Sequence, residues 1–236
     1  MSDSRLYRYF QEKAVNSDAH DYWGQVGRTV GGKAVDESQI ALIVEAVAKG
    51  LDLAAGDVLL DLGCGNGALT DRFFARCGGG LGIDLSDNLI AIANRAFAVP
   101  PHRAYQAGDA LELVETLDGP ERFTKGLCYG SFMYFDDQAA IRLLTTLRQR
   151  CAAMSRLYLG NIPDSDRMAP FRQRDDYRPG METDPQSPIG IWRTREQISA
   201  LAAAAGWKAS FDQMPDGFYA ATYRFDAILA PAGGGQ

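Results

Sequence analysis

The sequence predicts an α/β fold: a doubly wound, mostly parallel seven-stranded sheet closed by an antiparallel pair at its C-terminal end. Three observations lead there. Short apolar runs alternate with helical patterns from residue 58 onward, the pace expected of a parallel sheet with helices on both faces. A buried run, Val58–Leu62, leads into the glycine-rich turn Gly63-Cys64-Gly65-Asn66-Gly67 and then a helical pattern. Finally, two apolar runs near the C-terminus are parted by only Pro215-Asp216-Gly217, too short for a helical crossover, so they must pair antiparallel.

Each element follows from its residues. Residues 1–35 are aromatic and glycine-rich without clean periodicity, and read as an ordered but irregular arm with room for one short helix. Regular structure starts at Asp36, which with Gln39 has the spacing of a capping box; Ile40, Ile43, Val44 and Val47 then lie on one helical face. The predicted strands are Val58–Leu62, Leu81–Leu85, Ala104–Ala107, Phe123–Gly130, Leu157–Ile162, Trp207–Gln213 and Phe218–Ala230. Helices are expected at Ala68–Cys77, around Leu89–Ala96, near Ala110–Leu117, and on the face shared by Leu143, Leu147, Cys151 and Met154. A last one starts at Thr194, with Gln197 completing a capping box. Between Pro163 and Pro188 the chain turns rich in proline, aspartate and arginine, and a loop of that length is expected to be functional or disordered. The organisation read from this is an arm at 1–35 and one domain at 36–230, with a lid-like insertion at 163–190.

Composition narrows the function. The 236 residues carry 30 acidic and 24 basic side chains, a net charge of −6, which disfavours a non-specific nucleic-acid surface. Four cysteines without a CxxC pair and two histidines give too few ligands for a structural zinc site, so no metal is expected. No apolar stretch suits a signal peptide or a membrane span, and the expected compartment is the cytoplasm.

The chemistry concentrates at three strand ends. Asp61 lies two residues before Gly63, Asp84 ends the next strand 19 residues past Gly65, and Gly108-Asp109-Ala110 follows the third. A carboxylate at Asp84 can accept hydrogen bonds from both ribose hydroxyls, and one at Asp109 can reach an adenine amino group. Three acids at successive strand ends suit a ligand with an adenosine and a cationic amino-acid part, and suit a polyphosphate poorly. The turn alone also fits a dinucleotide pattern, Gly63-x-Gly65-x-x-Ala68, so a nicotinamide-dependent oxidoreductase stays open; it explains Asp84 but not Asp61 or Gly108-Asp109.

On Asp61-Leu62-Gly63-Cys64-Gly65-Asn66-Gly67, Asp84 and Gly108-Asp109-Ala110, the chain resembles the class I S-adenosylmethionine (SAM)-dependent methyltransferases over residues 36–230. The resemblance implies SAM as cofactor, held by Gly63, Cys64 and Gly65 at its methionine part, with Asp61 near its ammonium. Asp84 then holds the ribose, Leu85, Asp109 and Ala110 frame the adenine, and Tyr129 lines the junction with the acceptor. In small-molecule members the N-terminal arm covers the site, which points to His20 as a base, Tyr22 against the cofactor and Trp23 against the acceptor. Tyr134 is the other catalytic candidate; Asp136, Arg172, Arg174 and Trp192 are candidates for acceptor binding. The Asn/Asp-Pro-Pro-Tyr sequence of amide and exocyclic-amine methyltransferases is missing after Cys128. The implied activity is O-methylation of a small hydroxylated acceptor, sugar-like or a natural product, with no nucleic acid or membrane as partner. An RNA or protein methyltransferase and a non-catalytic SAM-binding subunit remain open, as does the oligomeric state.

Overall fold

In the computed structural model the structure describes residues 5–233. The N-terminal arm holds helix α1 (Arg5–Asn16), the single turn α2 (Tyr22–Gln25) and a small hairpin of β1 (Thr29–Val30) and β2 (Lys33–Ala34). The main body follows as α3 (Glu37–Leu51), β3 (Leu59–Leu62), α4 (Ala68–Phe74), β4 (Gly80–Asp84), α5 (Asp87–Phe97), β5 (Arg103–Ala107), α6 (Ala110–Thr116), β6 (Lys125–Tyr129), α7 (Asp137–Arg150), β7 (Arg156–Pro163), α8 (Ala169–Arg172), α9 (Arg195–Ala204), β8 (Trp207–Asp212) and β9 (Arg224–Pro231).

The seven-stranded sheet runs β5-β4-β3-β6-β7-β9-β8. Strands β3 to β7 pair parallel, and β9 lies antiparallel between β7 and β8. All four residues of β3 are buried, as a central strand covered on both faces requires. One face is covered by α3, α4 and α5 through Ile40, Ile43, Val47, Phe73, Phe74 and Ile90. On the opposite face α6, α7 and α9 pack Val114, Leu143, Leu147, Ile198 and Leu201 around the buried Trp207. The order reverses between β3 and β6, and the crevice at the C-terminal ends of these strands is where such sheets take ligands. No helix among the described residues is long and apolar enough to cross a membrane.

Three local expectations are corrected and one holds. The arm is more regular than its sequence suggests, because Phe10 and Ala14 of α1 gain their apolar partners from Leu89 and Ile92 of α5. Asp36 makes no side-chain cap; Gln39 instead donates to the Gly217 carbonyl and accepts from the Tyr219 amide. At Thr194 the box is complete, with Gln197 reciprocating. The last strand starts at Arg224 rather than Phe218: residues 218–223 form turns that drop Phe218, Ala220 and Ala221 into the core beside α3.

Candidate functional site

The glycine turn is built by backbone geometry. Gly63, Gly65 and Gly67 all have positive φ (80°, 59° and 79°), a region costly for residues with a Cβ. Space forbids one as well: a Cβ on Gly63 would stand 2.2 Å from Ser131 Oγ. The Gly63 and Cys64 amides donate to the Ile83 carbonyl at 2.7 and 3.0 Å, fixing the turn against β4. Asp84 completes the clasp. Its Oδ2 accepts from the Gly65 amide at 2.8 Å and its Oδ1 from the Ser86 amide at 2.9 Å. Burial pushes the Asp84 carboxyl up while these two hydrogen bonds pull it down.

A cavity of about 550 Å³ opens beside this clasp, within the range of small-molecule sites. Gly63, Cys64, Gly65, Asp84, Leu85, Asp109 and Ala110 line one part of it. Tyr129, Tyr134, Asp136, Tyr219, Tyr223 and Arg224 line the rest, and Tyr9, Phe10, Trp23, Gly27 and Arg28 contribute the arm's wall. Asp109 and Asp136 also cap α6 and α7: Asp109 accepts from the Leu111 and Glu112 amides, Asp136 from the Ala139 amide. Tyr134 donates to the Pro188 carbonyl at 3.2 Å, so the 163–190 segment reaches the cavity through Pro185, Gln186 and Pro188.

Not every sequence candidate reaches the wall. Asp61 lies beneath the turn, 3% exposed, and accepts from the Thr70 hydroxyl at 2.6 Å. Burial pushes its carboxyl up to about 7 against the opposing pull of Thr70 and Arg28. His20 is exposed; its amide donates to Asp18, and the residue lines a separate groove with Tyr22, Glu37 and Arg76. Tyr22 packs edge-on to Phe97 at 5.2 Å, outside the cavity lining. Trp23 reaches the cavity while its indole N–H donates to Glu37. Arg172 and Arg174 are exposed and outside the lining, with Arg174 paired to Asp176 at 2.9 Å. Trp192 is buried, stacked with Phe171 and Tyr223 behind the wall. A local charge partner and a tertiary aromatic cluster account for the last two positions.

The structure adds roles that the motifs did not specify. Buried Asn66 donates to the Tyr22 carbonyl and to Gln25 Oε1, tying the arm to the turn. Arg28 places its guanidinium 5.1 Å from the Tyr129 ring centre, with its Nε buried and unpartnered. Asn161 sits at φ 63° where the β7–β9 pairing slips register, its Oδ1 buried and unpartnered; the Tyr129 hydroxyl is likewise orphaned. Orphaned polar atoms on a cavity wall mark positions at which a ligand can complete hydrogen bonds. Asn66 stands inside the glycine motif and Tyr129 is already a candidate from the sequence; Arg28 and Asn161 carry no motif.

Comparison with known proteins agrees with this geometry. The profile of a methyltransferase-domain family matches residues 59–153, the stretch holding the turn, Asp84 and Asp109. An uncharacterized methyltransferase of Schizosaccharomyces pombe is 32% identical over 76 residues, 30% of this chain and 29% of that protein. Ribosomal RNA small subunit methyltransferase A of Synechococcus sp. is 36% identical over 91 residues, 38% of this chain and 32% of that protein. The chain thus matches about a third or less of the length of these curated relatives. Among solved structures, magnesium protoporphyrin IX methyltransferase from Synechocystis PCC 6803 with bound S-adenosylhomocysteine (SAH) superposes with a TM-score of 0.67. Its sequence identity is 16%, and the overlap takes in 96% of this chain and 98% of that one. Residues 59–153 thus match a methyltransferase-domain family, and the seven-stranded fold that carries them is similar to that of a methyltransferase solved with SAH bound.

Proposed function

We propose that the chain transfers the methyl group of SAM to an oxygen atom of a small acceptor, of sugar-like or natural-product size. One observation carries this reading: a single cavity extends from the clasped glycine turn to an aromatic chamber walled by the arm. The sulfonium of SAM supplies an activated methyl carbon, so the protein's task is to bind, align and keep water out.

The residues fit that cofactor. With one lone pair on each Asp84 oxygen given to backbone N–H groups, the other pair stays available for a ribose hydroxyl. Leu85, Asp109 and Ala110 offer an apolar face and an acceptor for the adenine. Arg28, beside the turn and within electrostatic reach of Asp61, is the cation for the cofactor's carboxylate. Asp61 contributes negative potential from below the turn rather than a contact. At the acceptor end, Tyr134, Tyr219 and Tyr223 shape the chamber. His20 has no place in this reading because it faces a different groove.

Isothermal titration of the full chain with SAM, SAH and NAD tests the cofactor assignment. Saturable binding of SAM and SAH without NAD is the expected result; NAD binding without SAH sinks it. Transfer of label from methyl-labelled SAM to material below 3 kDa in a metabolite extract tests the size of the acceptor, and label only on RNA or protein overturns that part.

A further inference from the structure

The cavity wall holds more positive charge than the cofactor can use. SAM brings one carboxylate, and Arg28 stands beside the turn to meet it. Arg224 is left over. It enters the cavity from β9, donates one guanidinium N–H to the Asn161 carbonyl and rests 5.1 Å from the Tyr223 ring centre. It forms no ion pair with a carboxylate of the described residues. Asp226 lies within electrostatic reach, yet its two oxygens are taken by the Tyr158 hydroxyl at 2.8 Å and the Asn161 amide at 2.6 Å. The guanidinium therefore keeps donors free next to the orphaned Asn161 Oδ1 and Tyr129 hydroxyl. A partly buried guanidinium with unused donors is suited to a carboxylate or phosphate.

A second observation concerns proton removal. Among the described residues no histidine or lysine lines this cavity. Its aspartates accept from backbone N–H groups, Asp84 through both oxygens and Asp109 and Asp136 through one each. Burial pushes the Tyr129 and Tyr134 phenols up, so both stay protonated near neutral pH. A carboxylate acceptor has no proton to lose and needs none of these groups as a base.

We infer that the acceptor presents a carboxylate to Arg224 and that this carboxylate is the methylated group, giving a methyl ester. The assignment rests on the methyltransferase reading above and names its acceptor class. The step balances without a proton. One carboxylate oxygen donates a lone pair to the methyl carbon, the carbon–oxygen bond forms as the carbon–sulfur bond breaks, and the electron pair remains on sulfur. An anion and a sulfonium become a neutral ester and a neutral thioether, so a chamber sheltered from water favours the transfer. Arg224 aligns the carboxylate through one oxygen and leaves the other to react.

Matched probes test this on the full chain saturated with SAH: benzoate against benzamide, and hexanoate against hexanamide, by titration calorimetry. The acids are expected to bind at least tenfold tighter than the amides. Arg224→Gln should erase that preference while keeping SAH affinity and the melting temperature, and Arg224→Lys should restore part of it. Equal affinity for acid and amide, no binding of either, or a preference that survives Arg224→Gln overturns the inference. Failure of the wild-type chain to bind SAH instead overturns the methyltransferase reading, and this one with it. In turnover on a small-molecule extract, label that mild alkali releases as methanol supports the ester; alkali-stable label refutes it.

Discussion

Replacing Asp84 separates two roles that the structure gives to one carboxylate. It ties the end of β4 to the glycine turn through the Gly65 and Ser86 amides, and its remaining lone pairs face the cavity. Each hydrogen bond to a charged acceptor contributes about 1.5–3 kcal/mol, so Asp84→Ala forfeits about 3–6 kcal/mol in gross terms. That sum is not the net. Burial raises the Asp84 carboxyl despite both bonds, so desolvation outweighs them in its balance, and removing the charge returns much of the loss. A net cost of about 1–3 kcal/mol remains, because two amides lose their acceptor and water from the cavity replaces it only in part. For a chain of this size, 1 kcal/mol lowers the melting temperature by about 2–4 °C, which gives a fall of about 5 °C. SAH affinity should fall further, by about 2 kcal/mol or more, roughly 30-fold, since two charge-assisted bonds to ribose vanish. Asp84→Asn, with a single acceptor oxygen, should fall between. Scanning calorimetry and titration with SAH read the two effects separately. An affinity within threefold of wild type refutes the ribose role. An affinity lost with an unmoved melting temperature refutes the clasp.

The remaining predictions rest on separate observations. Gly63→Ala should lower both SAH affinity, by at least tenfold, and the melting temperature, because φ is 80° and its Cβ would press on Ser131; adding Ser131→Gly should relieve the clash and not the dihedral, so full rescue by the double variant would show that contact alone mattered. Asp61, at about 7 in the folded chain against an unfolded value near 3.8, binds its proton more tightly when folded, so stability should be lost as pH rises from about 4 to about 7, by about 4 kcal/mol at most. Asp61→Asn should flatten that decline in thermal melts, and an unchanged profile argues against the buried carboxylate. Arg174→Ala should leave the acceptor KM unaltered, since Asp176 already holds its exposed guanidinium; a raised KM would return Arg174 to the site.

The parts of this molecule legible in the sequence are those whose cause is local. An apolar run such as Leu59–Leu62 is buried on both faces, and the glycines after it are needed where they stand for their own φ, so run and turn announce each other. Capping by Thr194 works over three residues and was visible; Asp36 has the same spacing, yet Gln39 finds better partners at Gly217 and Tyr219, far along the chain. Helix α1 failed to declare itself because its buried stripe exists only against α5. Residues 218–223 look like strand by composition and fold as turns because the core beside α3 takes Phe218 and Ala220. Arg172 and Arg174 drew attention by clustering, whereas Arg28 and Arg224, which do line the cavity, stand alone in sequence. A lone arginine carries no periodicity, and the absence of an acidic partner for it is a property of three dimensions.

This difference follows the two halves of the site. The proposed cofactor half is written on the ends of β3, β4 and β5, where strand, turn and acid are consecutive in the chain and repeat at crossover spacing. The proposed acceptor half is lined by the arm, the loop after β6, residues 185–188 and the start of β9, segments up to about two hundred residues apart. Its integrity depends on bonds that no local pattern encodes. Gln11 of α1 accepts from the Ser86 hydroxyl and the Asn88 amide at the start of α5, and Asn66 of the turn holds the arm at Tyr22 and Gln25. Because Ser86 also donates its amide to Asp84, the arm and the proposed cofactor clasp meet at a shared residue. Ordering the clasp around a ligand therefore also orders the arm's footing, and an acceptor chamber set by such distant segments can change its chemistry, through an arginine on β9 for example, while the glycine turn stays the same.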